Sequence, residues 1–172
     1  NPLFSMWRIF IPLILIVLFV YIITNLAPAL LCRLKNRKKF SAGSGWRSDR
    51  ELIGMLRGIS PNDFEEYIAN LFFKMGYKTQ KTGGPYDGGV DVIAEKNGIK
   101  HYIQCKKFIT SEVGVGAVRD FYGAIAGHLA NGKGYFITTN KFTLEAERFA
   151  EDKPIELIDE FKLIKYIRQA GL

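Results

Sequence analysis

The 172 residues contain only two cysteines and two histidines, and each shortage excludes a class of site. Cys32 and Cys105 are too few for a disulfide framework, and we expect both to be reduced thiols in a reducing compartment. His128 has no second histidine at a metal-ligand spacing, so we expect a surface residue there. The glycine-rich residues 82–89 lack the Gly-Lys-Ser/Thr ending of a nucleotide-binding P-loop.

Acidic residues are absent from the first 48 positions. All 17 Asp and Glu residues follow Ser48, whereas six of the 24 Lys and Arg residues precede Trp46. The net charge of +7 therefore comes mainly from the N-terminal part. The remaining chain carries 18 positive and 17 negative charges, so its basicity alone is a weak argument for nucleic-acid binding.

Residues 9–31 contain no charged side chain and are mostly Ile, Leu, Val and Phe. A helix of that length spans roughly 34 Å, enough for a hydrocarbon core of about 30 Å. We therefore expect one N-terminal transmembrane helix at residues 9–31. A secretory signal peptide fits less well, because its apolar part is shorter and is followed by small residues at a cleavage site.

A basic segment, CRLKNRKK, follows at residues 32–39. A DNA-binding arm is one interpretation, but such a cluster directly after a span is more often a topology and anionic-lipid signal. The positive-inside rule then predicts a single-pass protein of the inner (plasma) membrane whose C-terminal domain is cytoplasmic. Residues 32–45 are expected to form a basic juxtamembrane segment and linker, and residues 46–172 a folded domain.

The pattern of residues 46–172 predicts an α/β domain. Ser48 and Ser60 have the spacing of helix N-caps. A long amphipathic helix is expected at residues 113–130, where Gly123, Ala124, Ala126 and Gly127 leave room for close packing on a sheet. Short apolar runs between the helices predict strands, and Asn97-Gly98 predicts a hairpin turn. The resulting order, αβββαβ with further elements after it, predicts a mixed central sheet between helices.

The predicted hairpin brings together polar groups that suit a hard cation and a phosphate. Gln104 and Lys106 are two apart on one strand and share a face, and Asp91 at the start of the preceding strand can join them. Asp91, Gln104 and the Cys105 backbone carbonyl supply oxygen ligands, and Glu65 on the preceding helix could complete the shell. Lys106 would position water and stabilise negative charge, as phosphodiester hydrolysis requires.

Several short motifs resemble those of the Mrr-like restriction endonucleases, a family of the PD-(D/E)XK nuclease superfamily. The resemblance covers residues 60–167. The motifs are Phe64-Glu65-Glu66, Gly76-Tyr77, Asp87-Gly-Gly-Val-Asp91, Gln104-Cys-Lys106, Val118-Arg119 with Gly123-Ala124, and Phe136-Ile-Thr-Thr139 with Phe142-Thr143. The resemblance implies a restriction-endonuclease-like core and Mg²⁺-dependent hydrolysis of DNA, with Mn²⁺ as a possible substitute ion. It also implies that Asp91, Gln104 and Lys106 are the catalytic core and Glu65 the helix-borne acid.

Gln104 departs from the Glu or Asp that is common in the superfamily, and removes one negative charge from the ion shell. Lys107 and Arg119 are further candidate substrate contacts, and Asp87 is either a turn residue or a substrate or metal contact. The expected partners are DNA and membrane lipid, with a homodimer left open. The alternative is a catalytically inactive nuclease-fold module that binds DNA or a protein partner at the membrane.

Overall fold

The computed structural model describes Ile11 and residues 14–21, 48–82, 89–107 and 110–172. The chain divides into two units, Asn1–Ser44 and Gly45–Leu172. In the first unit the described residues are helical and exposed. The basic segment and linker predicted at residues 32–45 lie outside the described residues.

Among the residues that the structure describes, no helix has the length and apolar character needed to cross a membrane. Of the span predicted at residues 9–31, Ile11 and residues 14–21 are described, and they are helical. The rest of that predicted span lies outside the described residues. This finding corrects the prediction of a single-pass inner-membrane protein.

Two capped helices open the second unit. α1 (Asp49–Gly58) begins with a capping box, in which the Ser48 side chain accepts a hydrogen bond from the Glu51 N–H and the Glu51 carboxylate accepts one from the Ser48 N–H. α2 (Pro61–Lys74) is capped by the Ser60 hydroxyl, with proline at its first position. Both N-caps were predicted from the sequence, because their side-chain oxygens satisfy N–H groups that the helix leaves unpaired.

Three antiparallel strands follow: β1 (Lys78–Lys81), β2 (Val92–Lys96) and β3 (Ile99–Lys106). Asn97 and Gly98 form the two-residue turn between β2 and β3, with φ of 54° and 77°. Both values are left-handed, which is the conformation that a tight hairpin turn of this kind requires and that Asn-Gly favours. The predicted hairpin is confirmed.

The chain then alternates helices and strands: α3 (Val115–Ile125), β4 (Gly134–Thr138), α4 (Leu144–Ala150), β5 (Ile155–Ile158) and α5 (Glu160–Gln169). The five strands form one sheet in the order β1-β2-β3-β4-β5, in which β3, β4 and β5 are parallel. The predicted αβββαβ order and mixed sheet are confirmed.

Neighbouring residues of β4 show how helices cover both faces of the sheet. The Tyr135 ring lies 5.1 Å from that of Phe72 on α2, while the Phe136 ring lies 5.6 Å from that of Phe121 on α3. Successive residues of a strand point to opposite faces, so α2 and α3 lie on opposite sides. α4 packs with α3, and the Tyr166 hydroxyl of α5 donates to Glu156, the partner of Tyr135 in the sheet.

α3 is shorter than the helix predicted at residues 113–130. Val113 instead forms a parallel bridge with Phe142, and its N–H donates to the Lys141 carbonyl over 2.9 Å. The packing prediction for Gly123 is wrong, because nothing lies within 4 Å of a Cβ built there. The close approach is on the sheet side, where a Cβ on Gly134 would lie 2.3 Å from Cδ1 of Ile125.

Candidate active site at the divergent end of the hairpin

Asp91 is held in place by both neighbouring strands. Its N–H donates to the Ile103 carbonyl over 2.8 Å, and its own carbonyl accepts from the Thr82 N–H over 3.0 Å. Its carboxylate Oδ2 accepts a 2.6 Å hydrogen bond from the Cys105 N–H. The side chain is therefore fixed beside β3, at the point where the chain enters β2.

Gln104 lies on the face of the sheet that α3 covers, because it pairs with Phe136 in the register. Its amide packs against the backbone of Gly89, where a Cβ would come within 2.6 Å of Nε2. Its Oε1 is buried, and among the described residues no donor reaches it. A buried acceptor without a partner is costly, and such atoms commonly mark the site of a missing ion or water.

Lys106 follows Gln104 by two residues on β3 and therefore shares its face. Its side chain is partly buried at the end of the strand, where it pairs with Thr138 of β4. The positive charge of Lys106 acts to lower the pKa of Asp91. Asp91, Gln104 and Lys106 thus all lie at the end of the hairpin opposite the Asn97-Gly98 turn.

Glu65 approaches this end of the hairpin from α2, which covers the face of the sheet opposite to that of Gln104. Its Oε2 lies 3.0 Å from Nζ of Lys81, the last residue of β1. The Lys81 ammonium also donates to the Asn62 side-chain oxygen over 2.7 Å and to the Asn62 carbonyl over 3.3 Å. The negative charge of Glu65 acts on the carboxyl of Asp91, which places the two acids within electrostatic reach of each other.

Lys81 is the site residue that sequence reasoning missed. It is the Cα partner of Val92, so the antiparallel register sets it beside the start of β2, next to Asp91. The signal was present in the sequence. If the end of β1 pairs with the start of β2, then Lys81 must lie beside the start of β2. This inference requires the β1/β2 register, which the sequence analysis did not predict.

The pKa of Asp91 is raised from 3.8 to about 6. Burial is the main cause, since it disfavours the charged form, and the charge of Glu65 adds to it. The hydrogen bond from the Cys105 N–H and the positive charges of Lys81 and Lys106 act in the opposite direction. A buried carboxylate with a raised pKa beside a second acid is typical of a site that binds a cation.

Cys105 contributes its backbone rather than its thiol. Burial raises the pKa of the Cys105 thiol well above its ordinary value, and the charges of Asp91 and Glu65 raise it further. The thiol therefore stays protonated, which makes it a poor nucleophile and a poor metal ligand. Participation of the Cys105 carbonyl in an ion shell stays a prediction.

The remaining candidate residues have separate surroundings. The Lys107 ammonium donates to the Ile59 carbonyl over 2.5 Å, and the Arg119 guanidinium lies 5.5 Å from the centre of the Phe149 ring. Asp87 lies outside the described residues. A role for these three side chains in substrate binding stays a prediction.

The donor atoms fit a hard divalent cation. Within residues 48–82, 89–107 and 110–172, no three His, Cys, Asp or Glu side chains form a metal-ligand group. The oxygens at this end of the hairpin instead come from the two carboxylates of Asp91 and Glu65 and the amide of Gln104. Mg²⁺ and Mn²⁺ accept oxygen ligands of this kind, and among the described residues Oε1 of Gln104 has no hydrogen-bond partner.

The Mrr catalytic-domain family, described as "Restriction endonuclease", matches residues 56–167. The chain belongs to this family. The predicted family is thereby confirmed, and with it the assignment to a group of endonucleases that hydrolyse DNA. The match begins within α1 and ends within α5, so it includes every strand of the sheet.

A curated relative, the type IV methyl-directed restriction enzyme EcoKMrr of Escherichia coli (strain K12), is 35% identical over 123 residues. The aligned part is 66% of this chain but 40% of that enzyme. The chain therefore spans less than half the length of the relative that it matches.

Two solved structures share the fold at 21% identity. The DNA modification-dependent restriction endonuclease AspBHI matches with a TM-score of 0.60, over 72% of this chain and 36% of that one. The MspJI restriction endonuclease in complex with a 27-mer oligonucleotide matches with a TM-score of 0.51, over 70% and 30%. Both likenesses support the restriction-endonuclease-like core of this chain.

Proposed function

We propose that the chain is an endonuclease that hydrolyses DNA phosphodiester bonds with the help of Mg²⁺, for which Mn²⁺ can substitute. The observation that carries the proposal is the buried Oε1 of Gln104, which has no partner among the described residues. It lies on the same face as Lys106, at the end of the hairpin where Asp91 also lies. Membership of the restriction endonuclease family supports DNA as the substrate.

The carboxylates of Asp91 and Glu65 and the amide oxygen of Gln104 would hold the ion, with the Cys105 carbonyl as a further ligand. When bound, the ion polarises the phosphate and makes the attacking water more acidic. The short hydrogen bond from the Cys105 N–H fixes the orientation of the Asp91 carboxylate before any ion binds. Preorganised ligands of this kind cost little reorganisation during the reaction.

Lys106 would act on the water and on the phosphate. In the hydrolysis the water oxygen forms a bond to phosphorus, one phosphorus–oxygen ester bond breaks, and the leaving oxygen takes up a proton. The ammonium of Lys106 orients the water and stabilises the negative charge that develops on the phosphate oxygens. Its position two residues after Gln104 places it on the same face as the ion ligand.

The test is cleavage of supercoiled plasmid by the full 172-residue chain. We expect nicked or linear product with Mg²⁺ or Mn²⁺ and none with EDTA, and we expect Lys106→Ala to abolish cleavage. Lys100→Ala is the matched control, because Lys100 is exposed at the other end of β3. Undiminished cleavage by Lys106→Ala would refute the assignment of the site, and DNA binding without cleavage would favour an inactive module.

A further inference from the structure

Lys81 is bound to residues of α2 at the edge of the proposed ion site. Its ammonium lies within 2.7 to 3.3 Å of three oxygens, two belonging to Asn62 and one to Glu65. The Lys81 side chain is 30% exposed, so it is partly buried where it meets these oxygens. Asn62 alone supplies two of the three oxygens.

The charge balance of the site depends on this ammonium. Gln104 is neutral, so Glu65 and Asp91 supply the negative charge that the proposed site offers to a cation. Their charges act on each other, and the charge of Lys81 opposes that repulsion by acting on Asp91 as well. Without a bound ion, the ammonium is the counter-charge that allows the two acids to coexist in a partly buried site.

We propose that Lys81 is a built-in competitor of the divalent cation, holding Glu65 in the ion-free protein and giving it up when the ion binds. This inference rests on the proposed function, because it assigns Glu65 to the ion shell. Asn62 makes the exchange feasible. Its two oxygens can keep the ammonium after Glu65 turns to the ion, so no buried charge is left without a partner.

The consequence is that Lys81 sets the ion affinity below the value that the ligands alone would give. A dication and an ammonium on the same carboxylate repel each other, and the ion must also replace an existing ion pair. Lys81 is thus a positioning residue, whose charge decides the ion concentration at which Glu65 becomes a ligand.

The test is titration calorimetry of the full chain with Mg²⁺ and with Mn²⁺ in the absence of DNA. Removing a positive charge this close to a dication should tighten binding about tenfold in Lys81→Met. Lys81→Gln should behave in the same way and serves if the methionine variant folds poorly. Lys81→Arg keeps the charge and should stay near the wild-type affinity.

Lys78→Met is the matched control, because it removes the same charge from the same strand at an exposed position on the opposite face. We expect it to leave the affinity unchanged. Equal or weaker ion binding by Lys81→Met and Lys81→Gln, with normal binding by the wild type, would overturn this inference alone. No ion binding by any of the proteins would overturn the proposed function, and this inference with it.

Discussion

The backbone N–H of Cys105 donates a 2.6 Å hydrogen bond to Oδ2 of Asp91. The bond joins the start of β2 to the C-terminal end of β3, and it favours the charged form of the acid. Burial nevertheless has the larger effect, so the pKa of Asp91 is raised to about 6. At neutral pH the ionised Asp91 carboxylate therefore destabilises the ion-free folded protein, although the proposed chemistry needs this carboxylate.

Asp91→Asn should accordingly stabilise the ion-free protein above pH 6. The folded protein holds the Asp91 proton up to about pH 6, whereas the unfolded chain releases it near 3.8. The contribution of Asp91 to stability is thus greatest at low pH and is lost as the pH rises from about 4 to 6. The gain from Asn should be on the order of 1 kcal/mol at pH 8, discounted because the carboxyl is partly exposed, and should shrink at pH 5.

Urea unfolding in EDTA at pH 8 and pH 5 measures this difference. Asp120→Asn, at an exposed position of α3, is the control and should stay within about 0.5 kcal/mol of the wild type at both values. A gain that is equal at pH 5 and pH 8 would show that the ionisation of Asp91 is not its cause. The Asn variant should also bind Mg²⁺ more weakly than the wild type.

Sequence patterns predicted the parts of this fold and site that depend on local chemistry. The Ser48 and Ser60 caps, the Asn97-Gly98 turn and the two-residue spacing of Gln104 and Lys106 each follow from neighbours a few positions apart. The register of β1 against β2 depends on contacts between distant residues. Lys81 was missed for that reason, although its position beside Asp91 is fixed once the register is known.

The predicted membrane location failed for a different reason. The prediction used only the composition and length of residues 9–31, but a span also requires a helix that is long and apolar enough to cross the membrane. Among the described residues no helix meets that requirement. The approach of α3 to the sheet was assigned to the wrong glycine, because helix periodicity indicates which residues share a face but not which atoms meet across the interface.

Gly89→Ala should weaken ion binding as well as stability. A Cβ on Gly89 would lie 2.6 Å from Nε2 of Gln104, and the φ of 83° is unfavourable for alanine. The left-handed conformation alone costs about 1–2 kcal/mol, and the clash must also move the Gln104 amide. We expect a loss of stability together with a fall in Mg²⁺ affinity, measured by urea unfolding and calorimetry.

Gly98→Ala separates the two effects. Gly98 has a similar φ of 77°, but nothing lies within 4 Å of a Cβ built there. The variant should therefore lose comparable stability while keeping the wild-type affinity for Mg²⁺. If both alanine variants bound Mg²⁺ equally well, the contact between Gly89 and Gln104 would have no part in positioning the ligand.

Gln104→Glu should change ion affinity and ion-free stability in opposite directions. The change places a carboxylate where Oε1 is buried without a described partner, at the same end of the hairpin as the acid of Asp91. An added negative charge should tighten Mg²⁺ binding about tenfold, and should lower the melting temperature in EDTA because like charges are then buried together. The exposed Gln169→Glu is the control, with neither property expected to move.

A last pair of glycines tests the packing of α3 on the sheet, away from the proposed chemistry. A Cβ on Gly134 would lie 2.3 Å from Cδ1 of Ile125 and 3.0 Å from Cε1 of Phe121, both buried on α3. Gly134→Ala must displace the Ile125 side chain or the helix itself, and overpacking of this kind costs about 1–3 kcal/mol. Gly123 lies on the exposed side of the same helix with nothing near its Cβ position.

Gly123→Ala should therefore stabilise the protein by about 0.5–1 kcal/mol, since alanine loses less backbone freedom than glycine within a helix. Urea unfolding should thus give opposite signs for the same chemical change at a packed position of β4 and at an exposed position of α3. Mg²⁺ affinity should be unchanged in both variants, because neither glycine contacts Asp91, Gln104 or Glu65. Destabilisation by Gly123→Ala would mean that the outer face of α3 is covered in the folded protein, contrary to the exposure found here.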